Sequence, residues 1–200
     1  MRRLLLLCAF LLPALAQASG VVLIFGDSLS AGYGLSAHEA WPSLLQDHLA
    51  AKGKKWQVVN ASVSGETTAG GLTRLPEALA RHKPRVVVLE LGANDGLRGL
   101  PLEEMENNLA TMIKAAQARG AKVHLIGMKM PPNYGRSYTE KFSAVYPKLA
   151  KEFKTTLTPF FLAPVILRRS YFQTDGIHPT AQAQPLLMKH VLNDLEKTLK

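Results

Sequence analysis

Ser28 lies in the run Gly26-Asp27-Ser28-Leu29-Ser30, directly after the apolar segment 21–25. Because a short apolar segment of this kind predicts a strand, Ser28 would lie on a turn at the strand's carboxyl end, where a short helix begins. The backbone N–H groups at that helix start would favour a developing anion beside the hydroxyl. The same pattern is typical of a helix N-cap, a role open to Asp27 or Ser28. Ser28 is therefore a candidate nucleophile that needs a base from elsewhere in the chain.

A base and a carboxylate occur together near the C-terminus, in Asp175-Gly176-Ile177-His178-Pro179. A carboxylate three residues before a histidine can hold the far nitrogen of the imidazole, which fixes its tautomer and stabilises its charged form. Pro179 restricts His178 to an extended backbone, which helps to present the ring outward. Ser28, His178 and Asp175 have the residue types of a catalytic triad for acyl transfer.

Two other turns contain candidate donors to an oxyanion. Gly65, in the turn 62–66, leaves its backbone N–H unobstructed for a ligand. Asn94, in the turn 92–96, can offer a side-chain N–H. Either residue can equally serve its turn alone, a glycine for steric reasons and an asparagine as a turn former. Both turns follow predicted strands, and the carboxyl ends of parallel strands meet at one edge of a sheet.

The elements that would position these residues alternate between strands and helices, which predicts the α/β class with parallel strands. The predicted strands are 21–25, 56–61, 85–91, 122–127 and a fifth at 157–162. The predicted helices are 40–52, 67–82, 101–119 and 183–199, the last with Pro185 in its first turn. In the helix 101–119, a stripe that includes Met105 and Met112 has core spacing, so these methionines are expected in the core.

The first eighteen residues are typical of a secretory signal peptide. Arg2 and Arg3 precede the apolar stretch 4–15, and Ala16-Gln17-Ala18 provides a cleavage site after Ala18. The apolar stretch is too short to span a bilayer. The composition, with 47% hydrophobic and 20% charged residues, predicts one globular domain at 19–200. The expected location is therefore periplasmic or secreted, and cleavage would remove Cys8, the only cysteine.

The net charge of +9 includes Arg2 and Arg3, which leaves +7 for the rest of the chain. Such a charge favours contact with anionic membrane lipid or acidic partners. Nucleic acid is not expected as a partner, because the basic residues are scattered and the densest cluster, Lys148, Lys151 and Lys154, has the spacing of a solvated helix face. No metal is expected either, because no histidine spacing is that of a metal site.

The blocks Gly-Asp-Ser-Leu-Ser, Gly, Gly-x-Asn-Asp and Asp-x-x-His occur here in that order, and together they resemble the SGNH or GDSL hydrolase family along nearly the whole chain after residue 18. The resemblance implies a flavodoxin-like three-layer α/β/α sandwich with a central five-stranded parallel sheet. It implies Ser28 as nucleophile, His178 as base and Asp175 as its partner. It also implies an oxyanion hole formed by the Ser28 N–H, the Gly65 N–H and the Asn94 amide, without a metal or another cofactor.

The activity implied by this resemblance is hydrolysis of small-molecule acyl esters and thioesters, such as fatty acyl-CoA, lysophospholipids and aryl esters. The protein is expected to be a monomer. Apolar loop residues could form a groove for an acyl chain: Leu29, Leu97, Leu100, Met130, Pro131, Pro132 and Tyr134. Two alternatives remain open at this point. One is a carbohydrate O-acetylesterase of the same family, and the other is a basic envelope-binding protein without catalysis.

Overall fold

A five-stranded parallel sheet forms the centre of the computed structural model, which describes residues 20–199. Its strands are β1 (Gly20–Gly26), β2 (Trp56–Asn60), β3 (Val86–Glu90), β4 (Lys122–Ile126) and β5 (Thr156–Thr158). Their order across the sheet is β2-β1-β3-β4-β5, and every neighbouring pair is parallel. The apolar run 86–89 of β3 is buried, as expected for a strand covered on both faces, and Glu90 at its carboxyl end is buried too.

Seven α-helices lie among the described residues. They are α1 (Ser28–Ala31), α2 (Trp41–Ala51), α3 (Thr68–His82), α4 (Ala93–Leu97), α5 (Leu102–Ala118), α6 (Arg136–Glu152) and α7 (Gln184–Leu195). Helix α2 packs against α7, while α5 packs against both α3 and α6. The expected three-layer α/β/α sandwich is confirmed, and its strand order is the flavodoxin-like one.

Helix α5 forms where its sequence pattern predicts it. Pro101 occupies the N-cap position, and Glu103 and Glu104 lie in the first turn, where the positive end of the helix dipole favours acidic side chains. Met105 and Met112 are fully buried in the core between sheet and helix. The assignment of these methionines to the core is therefore confirmed.

Helix α6 was not among the predicted helices. Pro147 lies inside it and removes one helical N–H, so the sequence signal for a continuous helix is weak. Phe142 and Tyr146 compensate by burying their rings in the core, and the Tyr146 hydroxyl donates to the Leu91 carbonyl at 3.1 Å. Lys148 lies on the exposed face of this helix, in agreement with the predicted solvated face.

The predicted fifth strand is wrong at both ends. Strand β5 begins at Thr156 and ends at Thr158, because Pro159 has no N–H for the next bond of the ladder. Phe161 and Leu162 are buried in the loop that follows instead. The last predicted helix is also too long at its C-terminal end, although Pro185 does lie in the first turn of α7.

The predicted signal peptide and Cys8 lie outside the described residues. Within residues 20–199, no helix combines the length and the apolar character needed to cross a membrane.

His124 is enclosed within β4 and is fully buried. Its Nδ1 lies 2.8 Å from the Thr156 hydroxyl and its Nε2 lies 3.0 Å from the Thr158 hydroxyl. Burial lowers the pKa of His124 from 6.5 to about 3, since the charged imidazolium would lose its hydration. The His124 imidazole is therefore neutral in the folded protein near neutral pH.

We expect His124 to make the protein sensitive to acid. Between pH 6.5 and about 3, the unfolded chain binds a proton here that the folded chain does not, so its contribution to the free energy of unfolding falls as the pH falls. The slope is at most about 1.4 kcal/mol per pH unit for one proton. The free energy of unfolding can be measured by urea titration at several pH values. It should depend less steeply on pH in His124→Asn than in the exposed control His38→Asn. Equal slopes would contradict the burial argument.

Candidate active site

The candidate residues meet where the strand order changes direction. Strands β1 and β3 are neighbours, and the chain leaves their carboxyl ends toward opposite sides of the sheet. Ser28 is the first residue of α1, directly after β1, and Asn94 lies in α4, directly after β3. Gly65 lies in the loop between β2 and α3. Ligands of open α/β sheets bind at such a switch point, because the loops diverge there and leave a crevice.

Ser28, His178 and Asp175 form a continuous chain of short contacts. The Ser28 Oγ lies 2.8 Å from the His178 Nε2, although the two residues are 150 positions apart in sequence. On the other side of the ring, the His178 Nδ1 lies 2.7 Å from the Asp175 Oδ2. With Nδ1 protonated, Nε2 can accept the hydroxyl proton, so the three side chains have the arrangement that a nucleophile, a base and an orienting carboxylate require.

Asp175 is held by its own loop in addition to the imidazole. Its Oδ1 accepts the backbone N–H groups of Ile177 at 2.8 Å and His178 at 3.0 Å. The hydrogen bond from the His178 side chain, reinforced by these backbone donors, lowers the pKa of Asp175 to about 2. Asp175 is therefore ionised across the neutral range, and its charge can stabilise an imidazolium.

The turn that carries Ser28 rests on two buried carboxyl groups. Asp27 is the N-cap of α1, and its Oδ1 accepts the Leu29 N–H at 3.0 Å. Burial raises the pKa of Asp27 to about 6. Beneath it, Glu90 accepts the Ser30 hydroxyl at 2.7 Å. Burial, followed by the Asp27 charge, raises the pKa of Glu90 well above its ordinary value, which favours a neutral acid under the turn.

Gly65 and Asn94 both line the crevice beside Ser28. Gly65 has a φ of +79°, a conformation that glycine adopts readily, and no acceptor within residues 20–199 takes its N–H. Asn94 differs, because its Nδ2 already donates to the Asp27 Oδ2 at 3.1 Å and to the Glu66 carbonyl at 3.0 Å. An oxyanion would have to share one of these two amide hydrogens.

Two side chains that the sequence analysis missed support the His178 loop. The Gln173 Nε2 donates to the Tyr33 carbonyl at 2.8 Å and to the Pro179 carbonyl at 3.2 Å, which joins the loop after α1 to the loop around His178. Arg169 donates to three successive backbone carbonyls, those of Phe172, Gln173 and Thr174. Such contacts to distant carbonyls leave no pattern in the sequence.

An apolar cavity of about 700 Å³ opens beside Ser28. Its wall is mainly apolar, and its apolar residues include Leu29, Leu97, Met128, Met130, Pro131, Pro132, Phe160, Leu162, Ile166 and Phe172. Leu100 and Tyr134 of the predicted groove do not line it. A cavity of this size and character can hold a medium or long alkyl chain.

The described residues provide no group of side chains suited to binding a metal ion. Across residues 20–199, no group of three or more His, Cys, Asp or Glu side chains is arranged to hold a metal ion.

We expect Gln173 to position the base. Gln173→Leu removes both amide donors at similar size, and a displacement of about 1 Å at a reacting group can cost roughly 100-fold in rate. The turnover number for a short aryl ester should therefore fall roughly 10- to 100-fold while KM changes little. Thr174→Ala, an exposed neighbour, is the matched control. A Gln173→Leu enzyme with the turnover of the control would show that the backbone holds the loop unaided.

Comparison with known proteins identifies the family of this chain. The model of the GDSL-like lipase/acylhydrolase family matches residues 24–185. The chain is 49% identical to Esterase TesA of Pseudomonas aeruginosa over 201 aligned positions, which cover 100% of both chains. It is 48% identical over 190 positions to Thioesterase 1/protease 1/lysophospholipase L1 of Escherichia coli K12, which covers 93% of this chain and 88% of that protein.

The same similarity holds in three dimensions. A crystal structure of TesA superposes with a TM-score of 0.87 at 50% sequence identity, and the alignment covers 89% of this chain and 99% of that chain. The family match spans most of the chain, and the sequence relatives match along nearly their full length. The protein is an ester hydrolase, and it belongs to the GDSL-like lipase/acylhydrolase family.

Proposed function

We propose that Ser28 is the nucleophile of a serine esterase and thioesterase that works through an acyl-enzyme. The supporting observation is the unbroken chain of contacts from Ser28 through His178 to Asp175. His178 takes the hydroxyl proton as Ser28 attacks the carbonyl, and it returns that proton to the leaving alkoxide or thiolate. His178 then activates a water molecule that hydrolyses the acyl-enzyme. Asp175 stays ionised in both steps and stabilises the imidazolium.

The negative oxygen of the tetrahedral intermediate would be bound by three donors. Ser28 begins α1, so its own N–H has no acceptor within the helix. The Gly65 N–H has no acceptor within residues 20–199, and Gly65 lines the same crevice. Asn94 would contribute by sharing an amide hydrogen with its acceptor Asp27 or Glu66. Preorganised donors of this kind stabilise charge that exists only in the transition state.

The cavity supports a fatty acyl group as the substrate's acyl part. Its walls offer apolar contact along a chain, and Ser28, Gly65 and Asn94 line the same cavity. The relatives named an esterase and a thioesterase 1/protease 1/lysophospholipase L1 support acyl esters and thioesters as substrates, including acyl-CoA, lysophospholipid and aryl esters.

The two other functions have less support. A carbohydrate O-acetylesterase would need polar groups that hold a sugar and only a small acyl site, whereas this cavity is large and apolar. A binding protein without catalysis would have no need for the contacts that hold His178 between Ser28 and Asp175.

We also propose that the enzyme acts outside the cytoplasm as a monomer. Residues 1–18 have the charge, apolar stretch and cleavage pattern of a signal peptide, with cleavage after Ala18. Residues 19–200 would then form a single domain around the buried core. A mature chain without cysteine suits an oxidising compartment such as the periplasm.

Ser28→Ala should abolish hydrolysis of a short aryl ester, because it removes the proposed nucleophile. The protein should stay folded, because only one partly buried oxygen is lost. Residual activity should be at least about 1000-fold below that of the wild type. A fluorophosphonate probe should label the wild type and not the variant. Ser43→Ala, which also removes a serine hydroxyl, serves as the control. Retained turnover or labelling in Ser28→Ala would exclude Ser28 as the nucleophile.

The apolar cavity predicts a preference for longer acyl chains. Each methylene buried contributes about 0.8 kcal/mol, so kcat/KM should rise roughly fourfold per carbon until the cavity is filled. Rates measured for acetyl, butyryl, octanoyl and palmitoyl thioesters and esters, beside acetylated xylan, test this. A maximum at the acetyl group, with turnover of acetylated xylan, would favour the carbohydrate esterase instead.

A further inference from the structure

Several large apolar side chains are exposed around the mouth of the cavity. Tyr33, Ile166 and Ile177 line the cavity, and they are 52%, 46% and 51% exposed. Leu167, next to Ile166, is 95% exposed and does not line the cavity, so its side chain lies almost entirely in solvent. We call these four residues the apolar rim. Single exposed leucines are common on protein surfaces, but an apolar group that borders a lipophilic cavity marks a site of contact.

The charges beside the apolar rim are mainly positive. Arg168 follows Leu167 and is exposed, and Lys129 is the exposed charged residue of the cavity wall. Of the nearby carboxylates, Asp27 is buried, and Asp175 is paired with the imidazole of His178. The side chains of the apolar rim could thus enter a hydrocarbon layer, while the neighbouring cations Arg168 and Lys129 would lie at the level of the lipid headgroups.

We propose that the apolar rim, together with Arg168 and Lys129, docks the protein on an anionic phospholipid surface. The proposal rests on the proposed function, because the cavity that the apolar rim borders is the proposed acyl site. In this orientation a lipid acyl chain could pass from the layer into the cavity without crossing bulk water. Leu167 would enter the layer without blocking the cavity, and Arg168 would contact lipid phosphates.

The charge of Arg168 and the apolar side chain of Leu167 make separable contributions to membrane binding. Moving a fully exposed leucine into hydrocarbon strengthens partitioning on the order of 10-fold or more. A basic residue close to an anionic surface strengthens partitioning onto that surface by about fivefold, and this electrostatic contribution weakens as salt is added. Leu167→Ser and Arg168→Gln therefore remove two different contributions. Neither residue lines the cavity or contacts Ser28, His178 or Asp175.

The experiment measures sedimentation of the protein with vesicles of phosphatidylcholine alone and of phosphatidylcholine with about one third phosphatidylglycerol. The wild type should bind the anionic vesicles more tightly. Leu167→Ser should weaken that binding on the order of 10-fold, and Arg168→Gln should weaken it about fivefold at low salt. Leu186→Ser is the matched control, because Leu186 is an exposed leucine of α7 that does not line the cavity. This control should bind like the wild type.

Hydrolysis of a soluble short aryl ester is measured in parallel, and it should be equal in all four proteins. Absent hydrolysis in all four would refute the proposed function, whatever the vesicles show. Equal vesicle binding by Leu167→Ser and Leu186→Ser would overturn the docking surface, and so would failure of the wild type to bind anionic vesicles. A wild-type dimer that Leu167→Ser converts to a monomer would also overturn it, since the apolar rim would then be an interface between two copies.

Discussion

The imidazole of His178 lies between two groups that are far apart in the sequence, and this placement depends on the sheet and on the loop before α7. Its Nε2 reaches a serine 150 positions earlier at 2.8 Å, and its Nδ1 reaches a carboxylate in its own loop at 2.7 Å. The sheet fixes Ser28 at the end of β1, while a loop before α7 carries His178. Gln173 links these two parts through the Tyr33 carbonyl, so the position of the base depends on both.

Beneath Ser28, the proposed nucleophile, the fold buries polar groups. Glu90 is fully buried and lies under the turn of Ser28, where it accepts the Ser30 hydroxyl. A neutral acid at this position can hold the turn without placing a second full charge beside Asp27. Asp27 in turn accepts from Asn94, which couples the turns after β1 and β3. The stability of the site and the geometry of its donors therefore arise from the same buried network.

Much of this could be predicted from sequence, because β-strands in a covered parallel sheet are continuous apolar runs, and the candidate residues Ser28, Gly65 and Asn94 lie in the turns that follow such strands. Ser28, Gly65, Asn94 and the Asp175–His178 pair all lie where the turns were expected. Helix α6 was missed because Pro147 breaks the pattern while tertiary packing compensates. Gln173 was missed for another reason. Its side chain donates hydrogen bonds to backbone carbonyls, which every residue type provides, so no sequence pattern marks the contact.

We propose that hydrolysis passes through an acyl ester on Ser28. Rapid quenching of the enzyme during turnover of a long-chain acyl thioester, followed by peptide mapping, tests it most directly. The mass of the acyl group should appear on the peptide that contains Ser28, and it should disappear as the substrate is exhausted. An acyl group on another residue, or substrate turnover with no acylated peptide at any time, would contradict this account.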